Sequence, residues 1–100
     1  MDWNMEIVNN QLQVILAGNI FGEEAKKIKE ALIELIDKGQ LSILLDLSQV
    51  HYFECVGMGM LVAIQKRAVQ CGGSVKIKGI QRLLEKQFEL NYLTKVFEIQ

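Results

Sequence analysis

Hydrophobic and polar positions change period several times along the chain, and each change marks an element. Leu12, Val14 and Leu16 alternate with Gln11, Gln13 and Ile15, the period of a strand with one better-buried face. A shorter run, Met5 to Val8, precedes it across Asn9-Asn10, a dipeptide that tolerates the left-handed backbone of a tight hairpin turn. Met5 to Val8 and Gln11 to Ala17 are therefore expected to pair as an N-terminal β-hairpin, with Trp3 closing one end of the core. From Glu23 to Lys38 the period becomes helical. Ala25, Ile28, Leu32, Leu35 and Ile36 fall on one face, and Lys26, Glu30, Glu34 and Asp37 on the other. Glu23 and Glu24 suit the positive first turn of this helix, and Gly39 supplies the left-handed residue that ends it.

Leu41 to Leu47 is apolar apart from Ser42 and Asp46, which predicts a strand covered on both sides and hence central. A polar and aromatic link follows, and a helix is expected from about Gly57 to Cys71, ending at Gly72-Gly73. Ser74 to Lys78 reads as a strand with Val75 and Ile77 inward, while Lys76 and Lys78 point to a face that is partly wet. Ile80, Leu83, Leu84 and Phe88 mark a third helix, reaching about Asn91, with Arg82, Glu85, Lys86 and Glu89 outside. Val96 to Ile99 closes the chain as a short strand. The pattern predicts an α/β fold with a mixed sheet, parallel core strands and about three main helices.

The helix from Gly57 to Cys71 carries more apolar surface than a sheet can cover. At about 100° per residue its apolar side chains spread over roughly 200°, whereas a helix lying on a sheet needs a stripe of little more than ~100°. Leu61, Ile64 and Ala68 lie near the middle of that arc and are expected to face the sheet. Met58 or Met60, near the helix start, is expected to stay outside and serve a partner, because an uncovered apolar patch commonly marks an interaction surface.

Composition narrows the range of functions. With 100 residues, the chain is expected to form one domain over residues 1–100, with one core. Half the residues are hydrophobic and 23% are charged, as in ordinary globular proteins. The formal charge is −1 without a basic run, so there is no electrostatic footprint for nucleic acid. No stretch approaches the ~18 apolar residues of a membrane span, and no direct membrane insertion is expected; the compartment reads as cytoplasm. Cys55 and Cys71 sit at opposite ends of one predicted helix, about 24 Å apart at ~1.5 Å per residue, so they are not expected to pair. With one histidine besides, they give no metal-ligand spacing, and no cofactor is expected.

An ordered series of short motifs runs through the chain. Leu45-Asp46-Leu47-Ser48-Gln49-Val50 ends the central strand, Tyr52-Phe53 follows, Glu54-Cys55-Val56-Gly57-Met58-Gly59 opens the helix and Gly72-Gly73 closes it. Gly18-Asn19-Ile20 lies upstream and Leu93-Thr94-Lys95-Val96-Phe97 downstream. The series resembles the STAS domain family, and within it the bacterial anti-sigma-factor antagonists, over nearly the whole chain. The resemblance implies a single STAS-like domain acting as a non-enzymatic protein-interaction module. Its implied partner is an anti-sigma factor or a serine-kinase-like ATPase, with self-association into a homodimer as a further option. The implied contact residues are Glu54, Cys55, Val56, Gly57, Met58, Gly59 and Met60.

The departures from that pattern bear on regulation. Cys55 stands where the family carries the serine phosphorylated by a partner kinase, Val56 replaces the next small residue and Glu54 replaces an aspartate. The family's earlier Gly-x-(Ile/Leu)-Asp element reads Gly18-Asn19-Ile20-Phe21, so Phe21 replaces an aspartate near the phosphorylation site. Asp46, near that site in the family, is expected here to cap local backbone N–H groups, and Ser48 carries a hydroxyl that could accept phosphate in another way. The fold is expected to carry over and the phosphoswitch is not. Two other readings stay open: a STAS subunit of a transporter-associated or stressosome-like assembly, and a redox sensor or enzyme centred on Cys55.

The chemistry around Cys55 argues for the bland side of that last alternative. A free cysteine commonly packs as a small hydrophobe, and a partly buried, inert Cys55 is expected. A dyad with His51 would need a helix between them, where the sequence predicts extended chain, and no residue is placed to orient the ring. Gly57-Met58-Gly59 lacks the Lys-Ser/Thr of a phosphate-binding loop. These glycines are expected instead to permit a sharp entry from strand to helix.

Overall fold

The computed structural model describes residues 2–100. Five strands form one sheet in the order β1-β2-β3-β4-β5. The strands are β1 (Asp2–Val8), β2 (Gln11–Ile20), β3 (Ser42–Phe53), β4 (Ser74–Lys78) and β5 (Glu98–Ile99); α1 (Gly22–Asp37), α2 (Cys55–Gln70) and α3 (Arg82–Leu90) lie between them, and a single 3-10 turn (Leu93–Lys95) precedes β5. β1 and β2 are antiparallel and the remaining neighbours are parallel. Asn9 and Asn10 both have positive φ, 52° and 66°, the backbone that a two-residue hairpin turn with the twist of its strands requires. β3 is the middle strand.

The core lies on one face of the sheet. Leu12, Val14 and Leu16 from β2, Ile43, Leu45 and Leu47 from β3, and Val75 and Ile77 from β4 cluster with Ala25, Ile28, Leu32 and Ile36 of α1, Leu61, Ile64 and Ala68 of α2, and Leu84 and Phe88 of α3. The opposite pleat carries the rows Gln13, Leu44, Lys76 and Ile15, Asp46, Lys78; of these only Leu44 is buried. One side of the sheet is thus left open, as the two lysines of β4 foretold.

Buried Gln65 ties the far side of the fold together. Its Nε2 donates to the Val96 carbonyl at 2.9 Å, and its Oε1 accepts from the Val75 N–H at 2.8 Å. One side chain on α2 thereby fixes both the start of β4 and the link into β5. Nearby, the Arg67 guanidinium lies 2.7 Å from Asp37, clasping the ends of α2 and α1. That hydrogen bond and the carboxylate's charge raise the Arg67 pKa above its ordinary value.

Several element boundaries differ from the sequence-based expectation. β3 does not end at Leu47 but runs on to Phe53, with Val50 and Phe53 buried. Two register shifts against β2, between Ile15 and Ala17 and between Gly18 and Asn19, each insert an extra β3 residue. The inward positions become Leu47, Val50 and Phe53, and a spacing of three hides the strand from a search for period two. α2 starts at Cys55 rather than Gly57. Leu83, expected on the inner face of α3, is 80% exposed; the short helix buries only Leu84 and Phe88, one turn apart. The expected last strand, Val96 to Ile99, is shortened to Glu98–Ile99.

Candidate functional site

The site is built where β2 and β3 end side by side. Ile20 is paired with Phe53, and the Glu54 N–H donates to the Ile20 carbonyl at 2.9 Å. Each strand then turns directly into a helix, so the amino ends of α1 and α2 are neighbours at the carboxyl end of these two strands. Phe21 and Glu54 are the two N-cap residues, both in extended backbone and neither capping its own helix with its side chain. The Glu54 carboxylate instead accepts from the Gly22 N–H of α1, at 3.3 Å. A carboxylate there faces the positive end of α1 and satisfies one of its unpaired N–H groups.

Around that carboxylate lies an apolar rim. The Phe21 and Tyr52 rings are 6.0 Å apart, tilted by 50°, and each is nearly half exposed. Val56 is 57% exposed and lies beside Gly22, where an added β-carbon would be 3.9 Å from its Cγ1. Cys55 is exposed at the first position of α2, so it is a surface thiol and not the partly buried packing residue expected. Free apolar side chains gathered at one spot on a small domain form a ready contact surface.

The glycines of this segment serve unlike purposes. Gly57 is buried within the first turn of α2. A β-carbon there would stand 2.6 Å from the Phe53 ring and 3.2 Å from the Ala25 Cβ. Gly57 therefore lets α2 settle on Phe53 and approach α1; it does not make the turn out of the strand. Gly59 is exposed, and a β-carbon there would meet nothing within 4 Å.

Met58 is the clearest correction to the expected contact surface. It is 3% exposed and belongs to the core, while Met60 is half-buried. Met58 lies ~60° around the helix from Leu61, within the stripe that the sheet covers, and the surplus apolar surface of α2 emerges at Val56 and Val69. Of the contact residues expected, Cys55, Val56 and Gly59 are exposed, Glu54 and Met60 are half-buried, and Gly57 and Met58 are buried.

Asp46 and Ser48 belong to a different grouping. The Asp46 Oδ1 accepts from the Ser48 N–H at 2.9 Å, a local cap of the kind expected. Gly79 packs against both residues, and the Gln81 amide donates to the Ser48 carbonyl. Their contacts thus run to the link between β4 and α3, not to Cys55. His51 is exposed on β3, so no helical turn joins it to Cys55. Sequence reasoning missed Tyr52 as a site residue. The signal was the run His51-Tyr52-Phe53, in which one aromatic faces out and the next in, obscured by the irregular register of β3. Among the described residues no cluster of metal-ligating side chains occurs, and no helix is long and apolar enough to cross a membrane.

Comparison with known proteins places this geometry in context. The model of the STAS domain matches residues 2–100. An anti-sigma-B factor antagonist of Bacillus subtilis (strain 168) is 28% identical over 101 residues, covering 99% of this chain and 92% of that protein. Among solved structures, a candidate anti-sigma factor antagonist from Thermotoga maritima superposes with a TM-score of 0.90 at 22% identity, covering 97% of this chain and 84% of that one. The anti-sigma factor antagonist SpoIIAA in its unphosphorylated form superposes with a TM-score of 0.81 at 13% identity, covering 99% and 87%.

Proposed function

The chain belongs to the STAS domain family, and from that premise we propose that it is a non-enzymatic interaction module of the anti-sigma-factor-antagonist kind. It acts in the cytoplasm on an anti-sigma factor or a serine-kinase-like ATPase. The contact surface is the paired helix start: Phe21, Tyr52, Val56, Cys55 and Gly59, with Met60 at the margin. The observation that carries this reading is the exposed rim of Phe21, Tyr52 and Val56 around the Glu54 carboxylate, in a chain whose relatives are anti-sigma-B factor antagonists.

Cys55 occupies the phosphoacceptor position in this reading, and binding is not switched by phosphate there. A serine kinase transfers its phosphoryl group to a hydroxyl, and position 55 offers a thiol. Phe21, in place of a carboxylate, turns that neighbourhood apolar, which favours a contact held by burial over one held by charge.

The test is a titration of the chain with the serine-kinase-like ATPase of its own organism, followed by calorimetry, with and without Phe21→Lys. The expected result is binding by the parent chain and at least tenfold weaker binding by the variant, with both equally folded. Equal affinity would remove the paired helix start as the interface. Intact mass after incubation with ATP reads the phosphate at the same time.

A further inference from the structure

The two edges of the sheet are protected unequally. β5 is only two residues long, and its neighbourhood carries the Lys76–Glu98 ion pair at 3.3 Å. Short, charged edges of this sort resist pairing with another chain. β1, at the other edge, runs seven residues from Asp2 to Val8. Its register with β2 is unbroken, and the strand contains no lysine, proline or bulge.

The hairpin turn fixes which backbone groups of β1 are free. A two-residue turn at Asn9-Asn10 makes Val8 and Gln11 the first hydrogen-bonded pair, and pairs then alternate. Val8, Glu6 and Asn4 therefore bond inward to β2, leaving the N–H and C=O groups of Trp3, Met5 and Ile7 directed outward. The side chains of these residues lie on the core side of the sheet, since their partners across the hairpin are Leu16, Val14 and Leu12. Met5 is 44% and Ile7 65% exposed, an apolar row along an open edge.

We infer that β1 is a self-pairing edge, and that its occupant is β1 of a second copy of this chain. Antiparallel pairing centred on Met5 puts Met5 opposite Met5, Trp3 opposite Ile7 and Ile7 opposite Trp3. All three outward-directed residues then fall at hydrogen-bonded positions, and their apolar side chains meet on one face. On the other face Glu6 falls opposite Asn4, so no like charges oppose one another, the condition that cross-strand pairing requires. The sheet continues across both copies, and the paired helix start of each remains uncovered by the register. This pairing is independent of the partner assigned above.

Site-directed cross-linking in the full chain tests the register. In a Cys55→Ser, Cys71→Ser background, Met5→Cys places two thiols at a hydrogen-bonded pair with Cα atoms ~5.5 Å apart, inside the ~4.4–6.8 Å of a disulfide. Asn4→Cys places them diagonally, about 7–8 Å apart. The expected result is a disulfide-linked dimer under a mild oxidant for Met5→Cys and little for Asn4→Cys. Sedimentation equilibrium on the unsubstituted chain is expected to show dimer growing with concentration. Asn4→Glu, which sets two carboxylates opposite Glu6 in the dimer, is expected to weaken it several-fold, and Asn4→Lys to leave it as tight or tighter. A monomer mass at all concentrations up to ~1 mM, a Kd of negligible affinity, overturns the inference. So does a dimer that responds equally to both Asn4 charges, or one that cross-links as well through Asn4→Cys as through Met5→Cys.

Discussion

Phe53 and Gly57 are fitted to each other: the ring of the last β3 residue lies where a β-carbon on Gly57 would come within 2.6 Å. The ring is fully buried and serves as the floor on which α2 begins. Gly57→Ala is therefore expected to lower stability by about 1–3 kcal/mol, the ordinary cost of overpacking. Gly59→Ala, two residues on and in open space, is expected to leave stability unchanged or raise it by up to ~1 kcal/mol, since alanine favours helix. Urea denaturation of the two variants side by side checks the contrast, and equal destabilisation would contradict it.

Gly59 lies in the proposed contact surface, where a bare backbone leaves open space for a partner. The expected companion result is that the same variant binds its partner several-fold less tightly, because a methyl group then stands in the contact surface. Calorimetry on a variant already known to be folded reads this directly.

Gln65→Leu is expected to cost about 1–3 kcal/mol. It leaves the Val75 N–H, now paired with Gln65 Oε1, buried without a partner, and desolvation of such a group is charged in full. Gln65→Glu retains an acceptor for Val75 but loses the donor to Val96, and it should be destabilised as well. Hydrogen exchange at the Val75 amide distinguishes the two: fast in the leucine variant, slower in the glutamate one.

Cys55→Ser is expected to create a phosphate acceptor. With the cognate serine kinase and ATP, the parent chain should show no added phosphate on Cys55, whereas the variant should gain one at position 55, mapped by peptide mass. A phosphate on Ser48 in the parent chain would mean that a switch persists at another residue.

Val56→Lys tests the contact surface with little risk to the fold, because the side chain is more than half exposed. Binding should fall at least tenfold while the thermal midpoint moves by no more than ~2 °C, a shift within about 0.5 kcal/mol for a domain of this size. A matching Met58→Lys change should instead unfold the chain, since Met58 is a core residue.

The periodic elements were the legible ones. α1, β4 and the hairpin obey one period throughout and fall within a few residues of expectation, and the family motifs added the order in which they assemble. The far half of β3 was not legible, because two bulges replace alternation with a spacing of three, and the same irregularity concealed Tyr52. The wide apolar arc of α2 showed that some of it must stay outside, but not which edge: Met58 stands only ~60° around the helix from Leu61 and falls inside the covered stripe, while Val56 and Val69 are left out. Cys55, Val56 and Glu54 were picked out by motif, but the proximity of Glu54 to Gly22 joins residues 32 apart, and no local pattern reveals it.

The reach of Gln65 also sets a schedule. A chain made from its amino end exposes Gln65 long before Val96, the acceptor 31 residues later, exists. Until then the amide has a strand to receive but nothing to give to, and Phe88 lacks the Phe97 ring that later comes to lie 6.3 Å away. The segment around Val96 and Phe97 therefore acts as a latch, because the contacts of Gln65 and Phe88 are completed only by residues added after α3.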